Sequence, residues 1–276
     1  MNTAKTVMLM TLLTMVLVAV GGALGGQGGA LLALVMAAVM NLGSYWFSDK
    51  IVVKMYRGVE AKSGVLYEVV AELCQRNRLP MPKVYMLPQP TPNAFATGRN
   101  PEHAVVAATE GILEILSRDE LMGVMAHELA HVQNRDILIG SIAATIAGAI
   151  SWLAHMAQLS MLFGGGRDDE DSNPLAMIAL MILGPIAAML VQMAISRSRE
   201  YAADASGAKF CGNPRYLSQA LAKLEASNRQ MPMPRVNEAT AHMFIVNPLK
   251  SGGMRELFST HPPMAERIRR LEGMAL

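Results

Sequence analysis

The amino-acid sequence predicts a mainly α membrane protein: four transmembrane helices carrying a cytoplasmic α+β domain with a small β-sheet. Three observations predict it. Of 276 residues 52% are hydrophobic and only 17% are charged, with a mean hydropathy of +0.28, which is the balance of a chain that meets lipid. The charges are missing in blocks, which leaves four apolar runs at 6–23, 30–47, 137–163 and 174–195. The segments between and after these runs carry prolines, charges and alternating apolar residues, the marks of short strands and amphipathic helices. A net charge of +2 is too small to point to nucleic acid.

Residues 1–50 form an N-terminal transmembrane hairpin. Thr6–Ala23 and Ala30–Phe47 each approach the roughly 20 residues a membrane helix needs. The glycine-rich Gly25-Gly26-Gln27-Gly28-Gly29 separates them, and Tyr45 and Trp46 close the second at an interface position. A cleaved signal peptide is the alternative for the first run, because Gly22-Ala23 offers small residues. Residues 51–136 turn polar. Glu60–Arg76 reads as an amphipathic helix ended by Pro80 and Pro82, and three extended pieces follow at Val84–Leu87, Asn93–Thr97 and Ala104–Ala108. They predict a small sheet, whose edge is either a holder for an extended peptide or a structural hairpin.

Residues 137–195 form the second transmembrane hairpin, with an acidic loop around Arg167–Asp171 and a helix-kinking Pro185. His155, inside the third run, reads as a neutral hydrogen-bond partner for a neighbouring helix, with an intramembrane functional role as the alternative. Residues 196–276 are polar again, with helices at Pro214–Ser227 and Pro262–Met274. Of the 24 Lys and Arg, all but Lys5 and Arg167 lie in the middle segment or after Ser196, so both of those segments face the cytoplasm and the acidic loop faces out. Cys74 and Cys211 lie far apart with no C-x-x-C, and read as free thiols on a reducing side. The methionines, 23 in all, fall mostly in the apolar runs and read as packing rather than metal ligands.

Chemistry is concentrated at His127-Glu128-Leu129-Ala130-His131. Ser117 and Glu120 make a capping box that starts a helix, and residues four apart then lie on one face, so His127 and His131 present both imidazoles to one ion. Glu128 stands beside them as a carboxylate able to take a proton from water, which is the H-E-x-x-H pattern of zinc peptidases and of a zincin-like metalloprotease domain. A catalytic zinc takes three protein ligands, and Glu200 is the candidate for the third: it follows the fourth apolar run as the H-E-x-x-H helix precedes the third, and a hairpin joins those ends. Asp204 shares a face with Glu200 and is placed to orient a ligand imidazole. The alternative for Glu200 is a solvated charge beside Arg199.

Taken in order, Asn93-Ala94-Phe95-Ala96-Thr97-Gly98, His127–His131 with Asn134-Arg135-Asp136, Arg199–Asp204 and Ser259-Thr260-His261-Pro262-Pro263 resemble the HtpX family of bacterial membrane zinc metalloproteases, relatives of the prenyl-protein-processing CAAX endopeptidase. The resemblance covers essentially the whole chain. It implies a zinc endopeptidase of the cytoplasmic (inner) membrane, multi-pass, with both termini and the active site facing the cytoplasm. It further implies one Zn2+ per chain held by His127, His131 and Glu200, with Glu128 as general base, and quality control of unfolded or damaged membrane proteins under heat or envelope stress. Asn93, Ala94, Phe95 and Ala96 would lie in the substrate-binding edge, and His261 and Arg267 would be candidates for stabilising the oxyanion. Tyr201 is a third candidate donor; the residues alone do not choose among the three. His261 before two prolines is equally what a helix start looks like.

Two other kinds of protein share parts of this pattern. An intramembrane site-2-type protease also uses H-E-x-x-H, but Arg118, Asp119, Glu120, Gln133, Asn134, Arg135 and Asp136 bring too much charge for the hydrocarbon core, and no Leu-Asp-Gly element is present. A membrane zinc carrier or scaffold needs the ligands but has no use for Glu128.

Overall fold

The computed structural model describes residues 2–137, 197–230, 244–246 and 262–275. The third and fourth predicted spans, from residue 138 on, lie outside the described residues, as do His155 and His261.

Helix α1, Asn2–Met55, is helical throughout yet doubles back on itself. Gly26 adopts a positive φ of 57°, and a Cβ placed on Gly21 would come within 2.5 Å of both Gly29 O and the Ala33 Cβ. Residues eight apart in a straight helix are about 12 Å apart, so only a reversal brings them together. The predicted glycine-rich turn is therefore a turn, and glycine at 21 and 29 lets the two arms touch backbone to backbone. Outward-facing Met15, Leu31, Leu32, Val39 and Leu42 are 61–65% exposed. Counting only described residues, no helix is long and apolar enough to cross a membrane. The second arm does not stop at residue 50: it runs on to Met55, and Val52 and Tyr56 bury themselves with Leu87, Phe95, Ala107 and Phe244.

Four strands follow in the order β1-β2-β4-β3: β1 Val59–Glu60, β2 Lys83–Leu87, β3 Ala94–Gly98 and β4 Ala104–Thr109. β2 and β4 run parallel, while β1 and β3 run antiparallel to their neighbours and form the two edges. The amphipathic helix α2 is Val65–Asn77, not Glu60–Arg76. Gly64, with φ 89°, stands at its N-cap, so Val59 and Glu60 stay extended and pair with Met86 and Tyr85. Arg78 in the left-handed region closes α2 before the prolines. Sequence reasoning missed the short helix α3, Glu110–Ile115, between β4 and the capping box.

Helix α4, Arg118–Gln133, is the axis of the fold. Its capping box forms as read: Glu120 N–H donates to Ser117 Oγ at 3.3 Å, and Ser117 N–H donates to Glu120 Oε2 at 2.7 Å. Around α4 pack α2, β3, α5 (Arg197–Cys211) and α6 (Pro214–Gln230), and α7 (Met264–Glu272) closes against α6. Cys74 and Cys211 are free and buried.

Candidate metal centre

Two helices bring the site together because their contact faces are small. On α5 the buried residues Glu200, Ala203, Asp204, Gly207, Ala208 and Cys211 recur at helical spacing and form one stripe. A Cβ on Gly207 would lie 2.8 Å from His127 N, so the two backbones meet at the metal histidine. On its other side α4 meets α6 through Gly123, where a Cβ would lie 2.5 Å from Leu217 N. Glu200 and Asp204, one turn apart on that stripe, are thereby delivered to the imidazoles.

His127 Nε2 and His131 Nε2 lie 3.1 Å apart, His131 Nε2 is 3.4 Å from Glu200 Oε1, and His127 Nε2 is 3.8 Å from Glu200 Oε2. Ligand atoms about 2.0–2.2 Å from a tetrahedral zinc sit roughly 3.4 Å from one another, so two nitrogens and a carboxylate at these spacings fit that ion. The outer ring nitrogens are tied as well. His127 Nδ1 is 2.9 Å from Asp204 Oδ1, and His131 Nδ1 is 3.3 Å from Asp136 Oδ2. A carboxylate at Nδ1 holds the proton there and leaves the Nε2 lone pair turned inward, on both rings. Asp136 was not singled out from the sequence for this role. Its signal is local: α4 ends at Gln133, Arg135 takes a left-handed φ of 58°, and the chain turns back so that the acid reaches the ring.

Arg267, on α7, is fully buried beneath the site. Its Nε and Nη2 donate to the two oxygens of Asp204 at 2.9 and 2.7 Å, a bidentate grip. Nη1 donates to Ile245 O at 3.3 Å and lies 3.6 Å from Glu200 Oε2, and Nη2 is 3.4 Å from His127 Nε2. The guanidinium thus faces Asp204, Glu200, the Ile245 carbonyl and the His127 ring. The Tyr201 ring packs against the Arg270 guanidinium at 3.8 Å.

The electrostatics divide the two rings. Burial, the largest influence on His127, pushes it down to about 4. Burial also opposes charge on His131, but Glu200 and Asp136 outweigh it and raise the ring to about 10. A cation seated between the rings must compete with that proton. Burial would raise Asp204, yet the Arg267 charge and hydrogen bonds hold it down at about 2, and Arg267 in turn is raised by Asp204 despite its burial. Glu128 is 2% exposed, and burial pushes its carboxyl up to about 7, with Glu200 adding to the rise and His131 opposing it. The Ala96 backbone N–H on β3 donates to that carboxyl, so the acid–base group touches the sheet edge. Asn93, Ala94, Phe95 and Ala96 are all buried on or beside that edge.

The model of peptidase family M48 matches residues 60–275. A "Protease HtpX homolog" of Syntrophotalea carbinolica is 73% identical over 278 residues, covering 100% of both chains. Proteins of the same description from Syntrophobacter fumaroxidans and Thermodesulfovibrio yellowstonii are 56% and 55% identical, covering 98% or more of each chain. Among solved structures, S. mikatae Ste24p has a similar fold, with a TM-score of 0.52 at 20% identity over 87% of this chain and 57% of that one.

Proposed function

Because the chain belongs to peptidase family M48, as a metalloprotease of the HtpX kind, we propose that it is a zinc endopeptidase whose metal is held by His127, His131 and Glu200, one ion per chain. The observation that carries this reading is the convergence of those three side chains within 4.8 Å, beside a buried carboxyl that has a backbone N–H of the β3 edge as its partner. When bound, zinc supplies Lewis acidity that polarises a peptide carbonyl and acidifies a water towards about pKa 7. Glu128 takes the proton of the attacking water and passes it to the leaving amine. Asp204 and Asp136 hold the imidazoles in one tautomer and one orientation. Arg267 positions Glu200 and Asp204, since its donors are turned to those carboxylates and to Ile245. The oxyanion donor is one of His261, Arg267 and Tyr201; of these Arg267 lies 3.4 Å from His127 Nε2 through its Nη2. The outer edge of β3 holds the substrate backbone as an added strand.

The membrane reading is ours as well. Runs 6–23, 30–47, 137–163 and 174–195 cross the inner membrane as two hairpins, with both termini and the site on the cytoplasmic side. Supporting it are the doubled-back α1 and its row of exposed large apolar side chains, a surface that water penalises and lipid does not. Substrates are then unfolded or damaged membrane proteins with cytoplasmic tails or loops, and the setting is stress-linked quality control.

The test is cleavage of an unfolded model protein by the detergent-purified full chain, stripped of metal, with and without zinc and beside Glu128→Gln. Zinc-dependent cleavage lost in the variant is expected. Zinc binding by both proteins with cleavage by neither would overturn the peptidase reading.

A further inference from the structure

The outer edge of β3 is not open along its whole length. Alternate residues of an edge strand turn their backbone groups inward and outward. Thr109 N–H donates to Asn93 O at 2.9 Å, so Asn93, Phe95 and Thr97 face β4, while Ala94, Ala96 and Gly98 face out. The outward Ala94 carbonyl already accepts from Ile245 N–H at 3.0 Å. The Asn93 side chain extends the pairing as a backbone would: Nδ2 donates to Val246 O at 2.8 Å and Oδ1 accepts from Val246 N–H at 3.3 Å. With Ile245 beside Ala94 and Val246 beside Asn93, the segment runs antiparallel to β3.

The segment is held from three sides. The Phe244 ring stands edge-on to Tyr56 and Phe95, with centroids 5.2 and 5.3 Å away. The Ile245 carbonyl accepts from Arg267, which grips Asp204. Phe244 and Ile245 are buried to 1% exposure or less. The next outward position along the edge is Ala96, whose N–H donates to Glu128. Strap and acid–base group therefore stand at adjacent outward positions, about 6.8 Å apart along the strand.

We propose that Phe244–Val246 is a built-in strand that closes the outer edge of β3 at Ala94, so that an extended substrate pairs with the edge on one side of its scissile bond only. It is a specificity-determining segment: the enzyme reads backbone length and side chains on that one side. Neighbouring strands lie about 4.8 Å apart, so a substrate strand and the strap cannot occupy the same register. The inference rests on the reading of β3 as the substrate edge.

The experiment uses the zinc-loaded full chain in detergent and two series of unstructured peptides built around one cleaved bond. One series grows residue by residue on the amino side, the other on the carboxyl side, and kcat/KM is read for each. Growth on one side is expected to raise kcat/KM roughly twofold to tenfold for each strand hydrogen bond gained, and growth on the other to leave it flat. In Asn93→Ala, which removes both side-chain bonds to Val246, and in Phe244→Ala, which removes the anchor, length dependence is expected to appear on the second side. Zinc stoichiometry and the thermal midpoint show that each variant is folded. A wild-type rise on both sides overturns the strap while leaving β3 as the substrate edge. Cleavage that ignores length on both sides overturns the edge reading and the strap with it. One-sidedness unchanged in both folded variants overturns the assignment to Phe244–Val246.

Discussion

Helices α4 and α1 both lack a polar face, for opposite reasons. α4 is buried on nearly every side by protein, so its polar groups Glu120, His127 and Glu128 are enclosed, and each has a partner: Lys223 and Ser117, Asp204, and the Ala96 N–H. Among the described residues α1 has no such cover, and what faces out is Leu31, Leu32, Val39 and Leu42. Glycine serves both, at 123 in α4 and opposite it at 207, and at 21 and 29 in α1, but in α4 the close approach aligns ligands and in α1 it joins two arms. Uniformly buried and uniformly apolar helices are thus told apart by whether their charges are absent or answered.

The sharpest break in that comparison is Glu128→Gln. It keeps shape and burial, and is expected to lower turnover roughly 10²–10⁴-fold while zinc content stays at one per chain, read by single-turnover cleavage beside metal analysis. Next comes Asp204→Ala, which strands the buried Arg267 charge. A loss of about 3–5 kcal/mol is expected in denaturant melts, along with weaker zinc binding. The pH test of the same pair has a definite sign. Asp204 is lowered in the folded chain from the ordinary 3.8 to about 2, so its stabilisation is complete above pH 3.8 and drains away as pH falls from 3.8 to about 2. Asp204→Asn should flatten that part of the acid-unfolding curve. Gly207→Ala is smaller: its Cβ meets His127 N and Cα at 2.8 and 2.9 Å, so α5 must retreat, at about 1–3 kcal/mol and with a measurable rise in zinc Kd. The least effect is expected from Leu31→Val or Val39→Leu on α1. These should shift the thermal midpoint in detergent by no more than about 0.5 kcal/mol would, and a larger loss would mean that protein covers that face.

Much of this was legible because the signals are local. The capping box fixes where α4 begins, four-residue spacing stacks the imidazoles, and prolines and a Gly-Arg-Asn-Pro turn bracket strands whose observed limits differ from the expected ones by a residue at most. The start of α2 was misplaced because Ser63-Gly64, a break, sits inside an apolar periodicity that continues across it. Glu200 was reachable only through a topological argument, as the acid after one apolar run set against a motif before another. The rest depended on contacts over long separations. Nothing in Phe244-Ile245-Val246 distinguishes a strap from any apolar triplet until Asn93 is seen opposite it. Arg267 could be offered as an oxyanion candidate from the family resemblance, but its bidentate grip on Asp204 is a matter of packing.

The unbroken passage of α1 into Val52 and Tyr56 bears on reach. A catalytic body on a flexible tether samples a sphere of positions and works by local concentration. This one stands on a mast. With the hairpin in the bilayer, every residue between the arm and Tyr56 adds a fixed rise of about 1.5 Å, and the height of Glu128 over the lipid is a set length. On the proposed membrane reading the protein would then measure as well as cut: a bond would be accepted when a partly unfolded tail hung far enough from the membrane to meet that height, and a bond held closer in would be passed over.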